Sequence, residues 1–249
     1  MNDRPSIWNG MFNTWDEAAN AAALESKETL QAFDTSRWIE RQESMLSAAR
    51  SGVSPRFTNL PLLVGATGAR SVVDLGGGSG WTFELVSHSN SAALDRYTVI
   101  EQKTSVDAFS LSFITDDRVE FVASEKNSDG QLDSVDILYS NSALQYFPDN
   151  RSLTQLVATC TPDWILLDDI QAALDGDFFS MQHYYGAEIP CRFCDVNSMV
   201  KEVQNLGYAL KGNWEYPAAI GGAFEHSPTG MLDAQHAIGT ARSLLFEEV

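Results

Sequence analysis

Between Ser71 and Gly80 the chain reads Ser-Val-Val-Asp-Leu-Gly-Gly-Gly-Ser-Gly. Val72, Val73 and Leu75 make a short apolar run of the kind that forms a buried strand. The glycines after it let the backbone turn sharply and approach a ligand with no side chain between. Trp81 and the run Thr82–Val86 then read as the start of a helix. A strand, a glycine turn and a helix N-terminus form a nucleotide-type site at the carboxyl end of the first strand of an open α/β sheet.

The spacing separates the cofactor classes that use this junction. A dinucleotide fingerprint, G-x-G-x-x-G, needs a third glycine at position 81, where Trp81 stands. The order Asp74-x-Gly76-x-Gly78-x-Gly80 resembles instead motif I of the class I S-adenosylmethionine-dependent methyltransferases. The resemblance implies that the loop backbone around Gly76, Gly78 and Gly80 packs against the methionine part of S-adenosylmethionine. It also implies that Asp74 faces the cofactor's ammonium group, often through water.

From Arg70 onward strand and helix signals alternate, which predicts a mostly parallel sheet with helices on both faces. Strands are expected at Ser71–Leu75, Arg96–Glu101, Val119–Ala123, Ser134–Tyr139 and Trp164–Leu167. A helix follows at Asn197–Leu206, and Tyr208–Tyr216 and Arg242–Phe246 complete the sheet as an antiparallel, hairpin-like edge. The fold class is therefore α/β, a Rossmann-like seven-stranded mostly parallel sheet. Residues 1–68 read as an N-terminal helical extension or lid and 69–249 as the S-adenosylmethionine-binding domain. Asn13-Thr14 before Trp15-Asp-Glu marks one helix start, with acids in the first turn. Trp38, Ile39, Met45 and Leu46 fall at helical spacing in Arg37–Arg50, and Pro55–Val64 predicts a third short helix.

Composition narrows the partners. Among 249 residues, 44% are hydrophobic and the net charge is −18, so the chain has material for a core and a surface that repels phosphate backbones. No nucleic acid and no membrane insertion are expected. A small-molecule or glycan acceptor is the expected partner, and a homodimer stays open. With no signal-peptide pattern at Met1 and three cysteines, a cytoplasmic protein is expected. Cys191 and Cys194 lack the second ligand pair that a structural zinc site needs, so no metal site is assigned.

Glu101 ends the second strand, 25 residues after Gly76. In nucleotide-binding α/β folds an acid here accepts hydrogen bonds from ribose hydroxyls; otherwise it is a surface glutamate at a strand end. The methyltransferase resemblance implies that Ser124, after the third strand, lies near the adenine, and that Ser140 and Asn141, after the fourth, can hydrogen-bond the cofactor or the acceptor.

Nearly the whole chain is similar to a narrower group, methyltransferases found among bacterial surface-polysaccharide biosynthesis functions. The similarity runs through Trp8-Asn-Gly10, Thr14–Ala18, the glycine loop, Leu111-Ser-Phe113, Ser142–Tyr146, Phe179–Gln182, Pro190–Phe193, Leu206-Gly-Tyr208 and Trp214. Cys191 departs from an expected aromatic, and Asp168-Asp169 from an expected basic or neutral pair. This resemblance implies O-methylation of a sugar or glycan precursor, with another small metabolite as the alternative acceptor and a non-catalytic S-adenosylmethionine-binding module as the alternative class.

Methyl transfer to an alcohol benefits from a base within hydrogen-bond reach. His183 is the first candidate, placed after the fifth strand on the expected substrate side; its alternative is an ordinary surface histidine. His226, in a glycine-rich loop, is the second. Tyr184, Tyr185 and Arg192 are candidates to shape or charge-match the acceptor. Asp168-Asp169 also raises the divalent-ion mechanism of metal-dependent O-methyltransferases, in which acids after the fourth and fifth strands hold the ion; here Asn141 or Ser140 replaces the first acid.

Overall fold

The structure, a computed structural model, describes residues 8–25, 36–89, 94–110, 115–124, 134–173, 175–184, 187–217 and 241–249. In chain order the elements are β1 (Trp8–Phe12), α1 (Trp15–Glu25), α2 (Ser36–Arg50), α3 (Leu60–Thr67), β2 (Ser71–Leu75), α4 (Trp81–Ser89), β3 (Arg96–Glu101), α5 (Lys103–Phe109), β4 (Val119–Ala123) and β5 (Ile137–Asn141). They continue with a 3-10 turn (Leu144–Tyr146), α6 (Arg151–Cys160), β6 (Trp164–Ile170), β7 (Ala172–Ala173), β8 (Phe178–Tyr184), β9 (Ala187–Asp195), α7 (Val196–Asn205), β10 (Tyr208–Glu215) and β11 (Arg242–Glu248).

Seven strands form one sheet in the order β10-β11-β6-β5-β2-β3-β4. The five from β4 to β6 are parallel, while β11 runs antiparallel to both β6 and β10. The α/β class and the predominantly parallel sheet thus agree with expectation. The last two strands form the expected antiparallel edge, with β11 lying between β6 and β10. One detail differs: the fourth strand begins at Ile137 rather than Ser134.

Alternation along β2 explains how the sheet is filled on both sides. Val73 and Leu75 join a core with Leu153, Leu156 and Val157 of α6 and Met199 and Val203 of α7. Val72 points the other way, into a core with Met45 and Leu46 of α2, Leu60 and Val64 of α3, and Phe83 and Val86 of α4. Asp74 shares the face of Val72 and is only 1% exposed.

The helix starts follow local chemistry. The Thr14 hydroxyl accepts the Glu17 N–H of the first turn at 3.2 Å, while the Glu17 carboxylate reaches back to accept the Asn13 N–H just before the helix at 3.0 Å. At α7 the Asp195 carboxylate accepts from the Asn197 and Ser198 amides.

A second, four-stranded sheet in the order β1-β8-β9-β7 was not anticipated. Residues 8–12, within the stretch expected to be helical, form its first strand and pair antiparallel with β8. Trp8, Phe178, Cys191 and Phe193 build its small core, with the Phe178 and Phe193 rings stacked at 4.4 Å. No helix among the described residues is long and apolar enough to cross a membrane.

Candidate active site

The strand order reverses at β2, which pairs with β3 on one side and β5 on the other. In such a sheet the loops leaving those strands part and open a crevice. A cavity of about 230 Å³ lies there, with Leu75, the Gly76–Gly78 backbone, Glu101 and Ser124 among the residues that line it. Asn141, Ser142, Tyr146 and Tyr184 line it as well, and so do Trp38, Arg41, Gln42 and Arg56 from the N-terminal segment.

The glycines are there because nothing larger fits. Gly76 has φ +73°, and a Cβ on it would stand 2.3 Å from the Ala143 Cβ. Gly77 would carry its Cβ to 2.5 Å from an Asp74 carboxylate oxygen, and Gly78, at φ +58°, to 2.4 Å from Gln42 Oε1. The backbone is thereby bared to the cavity. Gly80, also left-handed at φ +72°, does not line it. Its carbonyl accepts the Phe83 N–H and so sets the first turn of α4.

Asp74 lies beneath the loop rather than in the cavity. Its Oδ2 accepts the Tyr97 hydroxyl at 2.6 Å. Burial raises its carboxyl to about 7, the Tyr97 hydrogen bond opposing and the nearby Glu101 charge adding to the rise. Asp74 thus supports the loop from under Gly77 and is not among the residues that line the cavity.

Glu101 does face the cavity. One carboxylate oxygen accepts the Gly78 N–H at 2.9 Å and the other the Gln102 N–H at 3.1 Å, which fixes the group while leaving lone pairs on both oxygens. Burial pushes its carboxyl up, the two backbone donors pulling it back.

Of the residues that close β5, Ser140 turns away: its hydroxyl donates to the Leu75 carbonyl at 3.0 Å and stitches β5 to β2. Asn141 and Ser142 reach the cavity. Asn141 Nδ2 donates to the Phe57 carbonyl and the Tyr139 hydroxyl. Ser142 has φ +57°, and Asp169, at the end of the neighbouring strand, has φ +55°. Two such non-glycine residues cost on the order of 1 kcal/mol each, and they sit side by side. The Ser142 N–H donates to the Asp168 carbonyl, and the Ser142 hydroxyl is hydrogen-bonded to the Asp169 carboxylate. Arg56 completes the cluster, its Nη1 lying 2.5 Å from Ser142 Oγ and 3.6 Å from Asp169 Oδ2.

Three sequence candidates are not brought here. His183 is on β8, its side chain 61% exposed, with Nδ1 2.8 Å from Glu188 across the hairpin. Strand alternation sends its neighbour Tyr184 into the cavity and His183 out of it. Arg192 is buried, hydrogen-bonded to Asn150 and Cys194 and 3.6 Å from Asp177, and it does not line the cavity. Asp168 is 2% exposed and accepts from the Asn59 amide, the Asn59 side chain and the Ser243 hydroxyl. These donors take three of the carboxylate's roughly four lone-pair positions, and no group of three or more His, Cys, Asp or Glu among the described residues is placed to hold a metal. Tyr185 and His226 lie outside the described residues. Trp38, Arg41, Gln42 and Arg56 carry no motif. Only the general reading of the N-terminal helices as a lid over the cofactor pointed to them.

Neither a family model nor a curated protein matches the sequence. Solved structures do match the fold. The pyocyanin biosynthetic protein PhzM is 17% identical, with a TM-score of 0.55 over 94% of this chain and 67% of its own. The mitomycin 7-O-methyltransferase MmcR is 13% identical, with a TM-score of 0.54 over 94% of this chain and 66% of its own. The 1,6-didemethyltoxoflavin-N1-methyltransferase of Burkholderia thailandensis, solved with 1,6-didemethyltoxoflavin and S-adenosylhomocysteine, is 15% identical, with a TM-score of 0.51 over 94% of this chain and 89% of its own. This chain thus spans about two thirds of the first two proteins and most of the third. With the glycine loop and the reversal of strand order at β2, these matches establish that the chain has the fold of the class I S-adenosylmethionine-dependent methyltransferases.

Proposed function

We propose that the protein is an S-adenosylmethionine-dependent methyltransferase acting on an oxygen of a small-molecule acceptor. One observation carries the reading: a single cavity at the sheet's reversal point is walled by the bared Gly76–Gly78 backbone, the Glu101 carboxylate and a cluster of aromatic rings. The residues fit the cofactor. Glu101 offers a fixed carboxylate to two ribose hydroxyls, Ser124 lies beside it at the end of β4, and the glycine backbone admits an amino-acid moiety without steric hindrance. When bound, S-adenosylmethionine supplies a methyl group on an already activated sulfonium. The protein's part is to align the acceptor and keep water out.

The acceptor side is formed by Trp38, Tyr146, Phe147 and Tyr184. The Trp38 and Tyr184 rings lie 5.9 Å apart, and those of Tyr146 and Tyr184 6.2 Å apart. Arg41 and Arg56 add positive charge to this wall of an otherwise acidic protein. Such a surface favours a planar, hydroxylated acceptor with anionic character. MmcR by its name methylates an oxygen and the toxoflavin enzyme a nitrogen, both on small molecules. The narrower reading, a sugar or glycan precursor, rests on the whole-chain sequence resemblance alone.

Calorimetric titration with S-adenosylmethionine and S-adenosylhomocysteine tests the proposal. Micromolar binding of both, lost on Glu101→Ala, is the expected result. Absence of binding to the wild-type protein would overturn it.

A further inference from the structure

The two left-handed residues at the ends of β5 and β6 are placed to do chemistry. Ser142 lines the cavity between the glycine loop and the Tyr146–Tyr184 wall. Its hydroxyl carries one proton and two lone pairs. Arg56 Nη1 can only donate to it, and an ionised Asp169 carboxylate can only accept from it. The hydroxyl proton is therefore directed at Asp169, with Asn141 Oδ1 at 3.1 Å as the second acceptor in range. One lone pair remains for a hydroxyl entering the cavity. Asp169 is itself held from both sides, by Gln171 Nε2 at 3.2 Å and by Arg56.

We propose that Ser142 and Asp169 form a proton relay that deprotonates the acceptor hydroxyl, with Arg56 fixing both members. The proposal rests on the methyltransferase reading above and names the groups that would take the proton. The acceptor O–H hydrogen-bonds to Ser142 Oγ. As the acceptor oxygen bonds to the methyl carbon and the sulfur–methyl bond breaks, its proton passes to Ser142 and the Ser142 proton to Asp169. The products are the methyl ether, the neutral thioether and a protonated Asp169, which returns its proton to solvent through the 16% of its side chain that is exposed. Charged or titratable groups facing Asp169 are Arg56 from the segment before α3, Asp168 on its own strand and Tyr216 at the end of β10. Burial pushes the Asp169 carboxyl up and Arg56 pulls it down, which favours a group able to hold a proton and release it.

This pair replaces His183 as the candidate base on geometric grounds: Ser142 is in the cavity wall and His183 is not. The strain supports the assignment too, because an unusual backbone at two adjacent strand ends persists only where the surroundings impose it.

The test uses the full chain saturated with sinefungin, an analogue with an amine in place of the methyl sulfonium, and 4-nitrocatechol as a chromogenic hydroxyl probe. On the wild-type protein the midpoint for appearance of the phenolate band is expected to fall by about one pH unit below that of the free probe, a tenfold change. Asp169→Asn, which tolerates a left-handed backbone as well as aspartate does, and Ser142→Ala should each return the midpoint to the free value with sinefungin affinity unchanged. Asp169→Glu should recover part of the shift. A shift that survives both substitutions, or no shift in a wild-type protein that binds sinefungin, overturns the relay and leaves the cofactor reading standing. Failure to bind sinefungin overturns both.

Discussion

Gln42 of α2 is hydrogen-bonded into the glycine loop: its Oε1 accepts the Ser79 N–H at 3.0 Å, while its backbone carbonyl accepts the Ser79 hydroxyl. At 2% exposure it is a buried polar side chain whose partner is the loop expected to cradle the cofactor. The helix that covers the site and the loop that forms its floor therefore behave as one unit. Gln42→Ala leaves a buried N–H without a partner, which costs about 1–3 kcal/mol. The urea midpoint should fall, and cofactor affinity with it, because the loop loses its brace. A midpoint equal to wild type would show that water replaces the side chain.

The same contact changes how the loop can be probed. A Cβ on Gly78 would collide with Gln42, so substitution there disturbs α2 as well as the ligand surface. Glu101 is the cleaner handle. Glu101→Ala removes the proposed ribose acceptor and a bond to the Gly78 amide; hydrogen bonds to charged groups contribute about 1.5–3 kcal/mol, so calorimetric affinity for S-adenosylmethionine should drop by at least tenfold. Glu101→Gln keeps one carbonyl acceptor and should lose less. Equal affinity in all three proteins would remove Glu101 from the site.

Asp74 gives a pH prediction whose sign is opposite to that of an ion-paired carboxylate. Its folded value, raised to about 7 by burial, exceeds the ordinary 3.8. Between these values the folded chain binds the proton and the unfolded chain does not. Stability contributed by this group is therefore present at low pH and lost as pH rises from about 4 to about 7, with a slope near 1.4 kcal/mol per unit. Asp74→Asn keeps an acceptor for the Tyr97 hydroxyl and cannot ionise. Its urea-derived stability should be flatter over that window than that of wild type and higher than wild type at pH 8. Parallel pH profiles for the two proteins would show that Asp74 is not the group responsible.

What the sequence displayed and what it hid divide along physical lines. The parallel strands were legible because Val72, Val99, Ile137 and Leu166 fall in short apolar runs between helical segments, and the glycine loop because left-handed backbone demands glycine. The second sheet was not legible. β8 buries five consecutive residues, so it shows no alternation, and β9 carries Pro190 and a buried Arg192 whose neighbours Asn150 and Asp177 lie outside the strand. β1 is five residues long and contains Gly10. In the site, Glu101 could be read because strand ends beside glycine loops have a defined chemistry. Arg56 and Gln42 could not, since they reach the cavity only through contacts across the fold. His183 illustrates the limit of placement by position: one residue along a strand decides between cavity and solvent.

The acid pair near the end of β6 separates a structural carboxylate from a chemical one, and the separation can be measured. Asp168 and Asp169 are adjacent, yet Asp168 spends both oxygens on Asn59 and Ser243, tying the segment before α3 to β6 and β11. An ion bound there would have to displace three donors that are themselves buried or half-buried. Asp168→Ala should therefore destabilise the protein strongly, since each orphaned donor costs about 1–3 kcal/mol, and should lower Tm before it affects any chemistry. Chelation of divalent ions from the wild-type protein should leave both Tm and affinity for S-adenosylmethionine unchanged. A fall in Tm with EDTA that magnesium restores would mean that Asp168 exchanges these partners for a cation, and the metal-assisted mechanism would then displace the Ser142–Asp169 relay.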